Sequence, residues 1–355
     1  MNIQTHDKIT VHEAKTSKIN QVDFNNLVFG KDFSDHMFEC DYINGEWQNP
    51  VIRPYGPLTI SPAAKVFHYG QAVFEGMKAF KDDQGKVFLF RPDQNHARIN
   101  KSSVRMAIPE FPKDIFFEAL HKLLKLDRDW VKPGVGNSLY IRPFVMATQE
   151  GVSASPSDKY KFMILLSPVN AYYSGDVRVV IAEQYSRSAN GGVGAAKAAG
   201  NYGAQFFPTN LAREKGFQQV IWTDASEHKY LEEAGTMNVF FRINDTLYTA
   251  PTGDRILDGV TRKSVIALAK RDNIAVEERP VLVSEVVEAA KNRTLKEIFG
   301  AGTAAVISPV SAFSYRDVVY DLPPTSGGYS SKFKKQLMDI QYNLSEDPFG
   351  WRYEV

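Results

Sequence analysis

The 355-residue chain has a single cysteine, Cys40. An intramolecular disulfide is therefore impossible, and a reducing compartment, the cytoplasm, is the expected location. Surplus charge is also missing: 42 basic against 41 acidic residues leave a formal net charge of +1, no electrostatic basis for holding nucleic acid or an anionic membrane. No apolar run exceeds five residues, as in Phe162–Leu166, so nothing here is expected to span a bilayer. The N-terminal stretch MNIQTHDKITVHEAKTSKINQ lacks the apolar core of a signal peptide and carries acids that a transit peptide avoids. The seven histidines, at 6, 12, 36, 68, 96, 121 and 228, show no ligand-like pairing, so no metal site is expected. Internal repeats and low-complexity segments are absent as well.

What is present is the composition of a globular protein long enough for two domains. Residues 1–25 read as a polar arm. From 30 to 170 short strands and helices alternate. FHYGQAVFEGMKAFK and KVFLFR suggest strands and turns, DQNHARINKSSVRM and KDIFFEALHKLLKLDRDW helices, and SLYIRPFVMAT and KFMILLSPV strands. NAYYSGD breaks the pattern. The expected organisation is an N-terminal domain over 1–169, a linker over 170–176 and a C-terminal domain over 177–355. In the latter VRVVIAE, FQQVIWT, MNVFFRI and TLYTA read as strands, with helices over roughly 203–214 and after Gly259-Val260-Thr261. The fold class is α+β.

One stretch is unusual. In GGVGAAKAAGNYG, residues 191–203, nine of thirteen residues are Gly or Ala, and Lys197 stands among them. A phosphate-binding P-loop needs Gly before the lysine and Ser or Thr after it, whereas Lys197 lies between Ala196 and Ala198. A dinucleotide GxGxxG fingerprint is not completed either. A lysine that forms a Schiff base fits better: it must be desolvated, and a flat cofactor must approach the backbone. Pyridoxal phosphate also requires a carboxylate for its ring nitrogen and donors for its phosphate. LEEAGTMNVFF supplies Glu232 and Glu233, and LDGVTRKS places amides and the Thr261 hydroxyl at a helix N-terminus, a natural anion site. On local composition alone, the Gly/Ala stretch reads first as a plain turn, the two glutamates as a solvated pair and GVT as a helix start. In the strand SLYIRPFVMAT, alternation puts Tyr140 and Arg142 on one side, and an arginine on an apolar face is costly without a partner.

Taken in order, Lys197 with Tyr202, then EAGTMN, GVTR and GAGTAA, closely resemble the branched-chain amino acid aminotransferases, fold-type IV pyridoxal-phosphate enzymes. LVFGKDFSDHM, FHYGQAVFEGMKAF and LYIRPFVMAT agree with this, and the resemblance runs from about Phe24 to Tyr342. It implies the two-domain fold of the D-amino acid aminotransferase type and transamination between leucine, isoleucine or valine and 2-oxoglutarate. Other fold-IV activities, as a D-amino acid aminotransferase or aminodeoxychorismate lyase, or an inactive cofactor-binding protein, are the alternatives.

By the same resemblance Lys197 is the Schiff-base lysine, Tyr202 the partner of the cofactor's phenolic oxygen and Glu233 the carboxylate at its ring nitrogen. Thr236 belongs to the same cofactor set. Arg98, Val260, Thr261 and Thr303 would hold the phosphate. Phe29, Tyr69, Phe74, Tyr140 and Tyr172 correspond to an aromatic substrate pocket, Arg142 to the partner of a side-chain carboxylate, and Thr303-Ala304 to the α-carboxylate site. Tyr69 and Val152 match positions supplied by a second subunit, which implies a homodimer. Some family members carry a redox-active Cys-x-x-Cys after the GTA turn. Here it reads Ala305-Val306-Ile307-Ser308, so thiol regulation is not implied.

Overall fold

The computed structural model describes residues 8–170 and 177–355. Tyr172 and the expected linker, apart from Asn170, lie outside the described residues. The chain forms two compact units, Met1–Tyr172 with Asp339–Val355, and Tyr173–Met338. The C-terminal segment, expected from the sequence in the second domain, is in the first unit because Arg352–Glu354 pairs antiparallel with Val87–Phe90.

The first unit is built on a nine-stranded sheet, mostly antiparallel, with Tyr160–Val169 and Ser138–Ala147 at its centre. Helix Lys113–Leu126 buries Ile115, Phe116, Ala119, Leu120 and Leu123, the stripe expected of a helix with apolar residues three and four apart. Phe111 stacks on Phe162 with ring centroids 3.6 Å apart, and Phe116 meets Phe162 edge-on. A second helix, Pro92–Arg105, starts with proline at a position where no amide hydrogen is needed.

Ser138–Ala147 contains a proline, which a central strand ordinarily excludes. Pro143 faces the point where the neighbouring strand is interrupted, between Ala72–Phe74 and Met77–Lys81. Its carbonyl accepts the amide hydrogen of Glu75 at 2.7 Å. The return bond cannot form, since proline has no N–H, and Glu75-Gly76 leave the ladder there. Gly76 allows a second close approach: a Cβ at that position would collide with the Tyr140 hydroxyl and lie 2.9 Å from its Cζ. The motifs FEGMKAF and YIRP are thus two sides of one local feature.

In the second unit ten strands form one sheet. Six of them, Met237–Ile243, Leu295–Gly302, Val306–Tyr315, Val177–Ile181, Gln219–Thr223 and Tyr230–Ala234, close into a barrel. The closing contact is Tyr230–Ala234 against Met237–Ile243, with Glu233 opposite Asn238. Around it lie the helices Val260–Arg271 and Val283–Lys291. The architecture is α+β. Three local expectations differ: Phe67-His68-Tyr69 belong to the short helix Lys65–Tyr69, Glu232 and Glu233 lie inside a strand rather than before one, and the helix at 203–214 is two pieces, Ala199–Gly203 and Phe206–Glu214.

Among the described residues no helix is long and apolar enough to cross a membrane. Cys40 is buried in the first unit's core, its thiol donating to the Gln48 carbonyl at 3.3 Å, and burial pushes its pKa up to about 12. A thiol so far from ionisation is a poor nucleophile. Mild peroxide treatment should therefore leave activity unchanged, and inactivation reversed by added thiol would contradict this.

Candidate active site

The expected site residues divide between the two units. In the second, Lys197 is half-buried and its Nζ donates to the Tyr202 hydroxyl at 2.6 Å. The loop around it is pinned from several sides. Asn201 Nδ2 donates to the carbonyls of Val193 and Ala196 at 2.9 and 3.0 Å, and the Ala195 amide donates to the Asp254 carbonyl at 2.8 Å. A Cβ on Gly194 would lie 2.6 Å from the Arg255 carbonyl oxygen, so only glycine fits there.

Glu233 is almost fully buried on the barrel strand Tyr230–Ala234. Its Oε1 accepts from the Leu257 amide at 2.7 Å and from Asn238 Nδ2 at 3.4 Å, and its Oε2 pairs with Arg187 Nε at 3.0 Å. Arg187 in turn donates through Nη2 to the Gly194 carbonyl at 3.1 Å, so one guanidinium ties the lysine loop to this carboxylate. The adjacent Glu232, on the opposite face of the strand, is buried too and pairs with Arg255 at 2.6 Å. Burial pushes its carboxyl up to about 7, against the pull of Arg255 and Arg187. The two glutamates are therefore not a solvated pair.

Asn238 carries the network onward. Its Nδ2 donates to the Leu257 carbonyl at 2.9 Å, and its side chain lies against Gly259, where a Cβ would come 3.1 Å from Cγ. Gly259 is the N-cap of helix Val260–Arg271, which has no side-chain cap and no acid in its first turn. The first-turn amides of Val260 and Thr261 therefore have no side-chain cap, and Thr261 adds a hydroxyl. Thr236 is exposed in the two-residue turn Gly235-Thr236. Thr303 and Ala304 lie in the turn between Leu295–Gly302 and Val306–Tyr315.

In the first unit, Arg98 on Pro92–Arg105 is buried and forms a bidentate pair with Glu75: Nε to Oε1 at 2.6 Å and Nη2 to Oε2 at 2.9 Å. Phe29, Phe74, Tyr140 and Arg142 cluster. The Phe29 and Tyr140 rings meet edge-on at 4.9 Å, and the Arg142 guanidinium lies 4.6 Å from the Phe74 ring centre and donates to the Tyr140 hydroxyl at 3.0 Å. Arg142 Nε is buried without a hydrogen-bond partner. A buried donor left unpaired is costly. Tyr69 and Val152 form a separate contact, hydroxyl to carbonyl, and are exposed at 44% and 68%.

Sequence reasoning missed three charged residues here. Arg187 lies in YSRSANGG, which has no periodicity to mark it. Glu75 stands in plain view, a charge inside an apolar, strand-like run. Lys78, whose Cα faces Tyr140 across the strands, is buried, and burial lowers its pKa to about 8.

Residues 72–313 match the amino-transferase class IV family. Branched-chain-amino-acid transaminase 1 of Bacillus subtilis (strain 168) is 46% identical over 339 residues, covering 94% of this chain and 95% of that protein. The chain belongs to the branched-chain amino acid aminotransferase family. Crystal structures with the same fold include the branched-chain aminotransferase of Thermoproteus uzoniensis with norvaline, at 21% identity and a TM-score of 0.74, covering 89% of this chain and 99% of that one. A T.th. branched-chain amino acid aminotransferase with pyridoxamine 5'-phosphate matches at 23% identity and a TM-score of 0.69, covering 88% of this chain and 97% of that one.

The aminotransferase's own residues fit pyridoxal phosphate. The second unit holds an amine with an oxygen partner, a buried carboxylate paired with an arginine that also bonds the lysine loop, and a helix N-terminus without a side-chain cap. They match, group for group, the aldehyde, the ring nitrogen and the phosphate.

Proposed function

We propose that this aminotransferase exchanges the amino group between L-leucine, L-isoleucine or L-valine and 2-oxoglutarate, giving branched-chain 2-oxo acids and L-glutamate. The observation that carries the reading is the Lys197–Tyr202 contact, tied through Arg187 to the buried Glu233. Pyridoxal phosphate supplies the electron sink for the pair released when the substrate's Cα loses its proton. Lys197 Nζ holds the cofactor and moves that proton; the Tyr202 hydroxyl orients Nζ. Glu233 keeps the ring nitrogen protonated, and Thr236 belongs to the cofactor-binding set. Arg98, the Val260 and Thr261 amides, and the Thr261 and Thr303 hydroxyls bind the phosphate, and the amides around Thr303-Ala304 take the α-carboxylate.

Phe29, Phe74 and Tyr140 line the aliphatic pocket, worth about 25 cal/mol for each Å² of apolar surface buried. The working form is a cytoplasmic homodimer in which Tyr69 and Val152 serve the partner subunit's pocket, and their exposure in the single chain favours this.

One pocket must then take both an uncharged side chain and the γ-carboxylate of glutamate. Arg142 is the group that reconciles them: its Nε is available, and its flat guanidinium packs on Phe74 when no carboxylate is present. An amino-donor panel with 2-oxoglutarate, using L- and D-isomers, tests the assignment; preference for a D-donor would overturn it. Arg142→Ala should weaken glutamate and 2-oxoglutarate by roughly 100-fold and leucine by less than about tenfold, since only the former lose a charge partner. Half-reactions with each donor measure this, and equal losses would make Arg142 structural.

A further inference from the structure

We propose that Glu75 is a positioning residue for Arg98, fixing which edge of the guanidinium faces the cofactor phosphate; this rests on the reading that Arg98 binds that phosphate. A guanidinium is a rigid plane with donors on two edges. The edge formed by Nε and Nη2 is taken by the two oxygens of Glu75, at 2.6 and 2.9 Å. The edge bearing Nη1 is thereby turned away from Glu75, in one orientation. Glu75 cannot itself swing, because its Oε2 also accepts from Asn95 Nδ2 at 2.8 Å and from the Gly76 amide at 3.0 Å. Its backbone is held in turn by the bond from its amide to the Pro143 carbonyl at 2.7 Å, at the point where the ladder is interrupted. The side chains of Glu75 and Arg98 are 0% and 9% exposed, so water does not compete for this pair.

Charge alone would argue for the opposite effect. A carboxylate beside Arg98 offsets part of the positive charge that a phosphate would feel. A buried ion pair also adds little stability, because desolvation consumes the attraction. The gain is preorganisation: a long, flexible side chain is ordered before the cofactor arrives, so binding need not order it. Glutamine separates the two effects. It keeps the shape and removes the charge, but its NH2 group faces the guanidinium donor to donor, and the bidentate grip is lost.

The test is titration of the apoenzyme, by visible absorption, with pyridoxal phosphate and with pyridoxal, which lacks the phosphate. Glu75→Gln should raise the Kd for pyridoxal phosphate by about 10- to 100-fold, the range typical of a partner that orients a ligand-binding group. The Kd for pyridoxal should stay within about twofold. Arg98→Gln should give the same pattern, and the double variant should bind pyridoxal phosphate no more weakly than Arg98→Gln alone. Asn95→Ala removes one support of Glu75 without stranding a buried charge, and should give a smaller loss confined to pyridoxal phosphate; it decides the matter if Glu75→Gln does not fold. Equal losses for both cofactor forms would make Glu75 structural, and unchanged or tighter binding of pyridoxal phosphate would make it a charge neutraliser; either overturns the proposal. A wild-type apoenzyme that binds neither form would instead refute the cofactor reading itself.

Discussion

Replacing Lys197 by alanine should abolish transamination and the visible absorption of the bound cofactor together. The expected loss in kcat is of the order of a million-fold, as when the reacting side chain of other covalent catalysts is removed. The size follows from the two tasks that the proposed function places on one atom, Nζ: holding the cofactor and moving the substrate's Cα proton. The Tyr202 hydroxyl, 2.6 Å away, cannot take over the first task, since it is not an amine. The rival amine is Lys78, which burial brings to a pKa of about 8 and so renders partly neutral in ordinary buffers. Borohydride reduction of the wild type followed by peptide mapping distinguishes the two. The pyridoxyl group should be on Lys197, and an adduct on Lys78 would sink the assignment.

The helix Lys113–Leu126 is legible because its burial repeats with a local period that the sequence displays, and the strand Met237–Ile243 because its buried run of Val239, Phe240 and Phe241 is β-branched and aromatic. The order of motifs from Lys197 to Thr303 is legible for a different reason: each is a short contiguous run whose resemblance to a family survives without any knowledge of packing. Even there the sequence tells only part. The small residues before Lys197 read as clearance for a flat cofactor, yet Gly194 is also demanded by the Arg255 carbonyl packed against it. What stays hidden is pairing over distance. Glu75 with Arg98 and Glu233 with Arg187 join residues 23 and 46 positions apart, through a sheet register and a loop path that no local pattern encodes. The same holds for Glu232 and Glu233, which side by side in the sequence look solvated. Alternation on a buried strand sends them to opposite faces, each to its own arginine. The short C-terminal strand Arg352–Glu354 has too few residues to show any period at all.

That division between adjacent glutamates sets up the second large effect. Glu233→Gln should lower kcat by roughly 100- to 1,000-fold, the usual cost of removing one preorganised electrostatic partner from a reacting group. A carboxylate opposite the ring nitrogen favours its protonated form, and only that form draws off the electron pair left at Cα efficiently. An amide cannot hold that proton electrostatically. It would also place either an NH2 against the Leu257 amide, now 2.7 Å from Oε1, or one against Arg187, now 3.0 Å from Oε2. Lys197 and the phosphate-binding groups are untouched, so the variant should retain cofactor and lose turnover, a split that a general folding defect would not produce. Glu232→Gln is the control. Burial pushes the Glu232 carboxyl up to about 7, which brings its neutral form within reach near neutral pH, and a neutral amide resembles that form. Its partner Arg255 is 29% exposed and can turn to water when the charge goes. Glu232→Gln should therefore change kcat by no more than about threefold. Steady-state rates and cofactor titrations on both variants measure the contrast. If Glu232→Gln were the crippled one, the carboxylate serving the ring nitrogen would lie on the other face of the strand, and the assignment of Glu233 would fall with it.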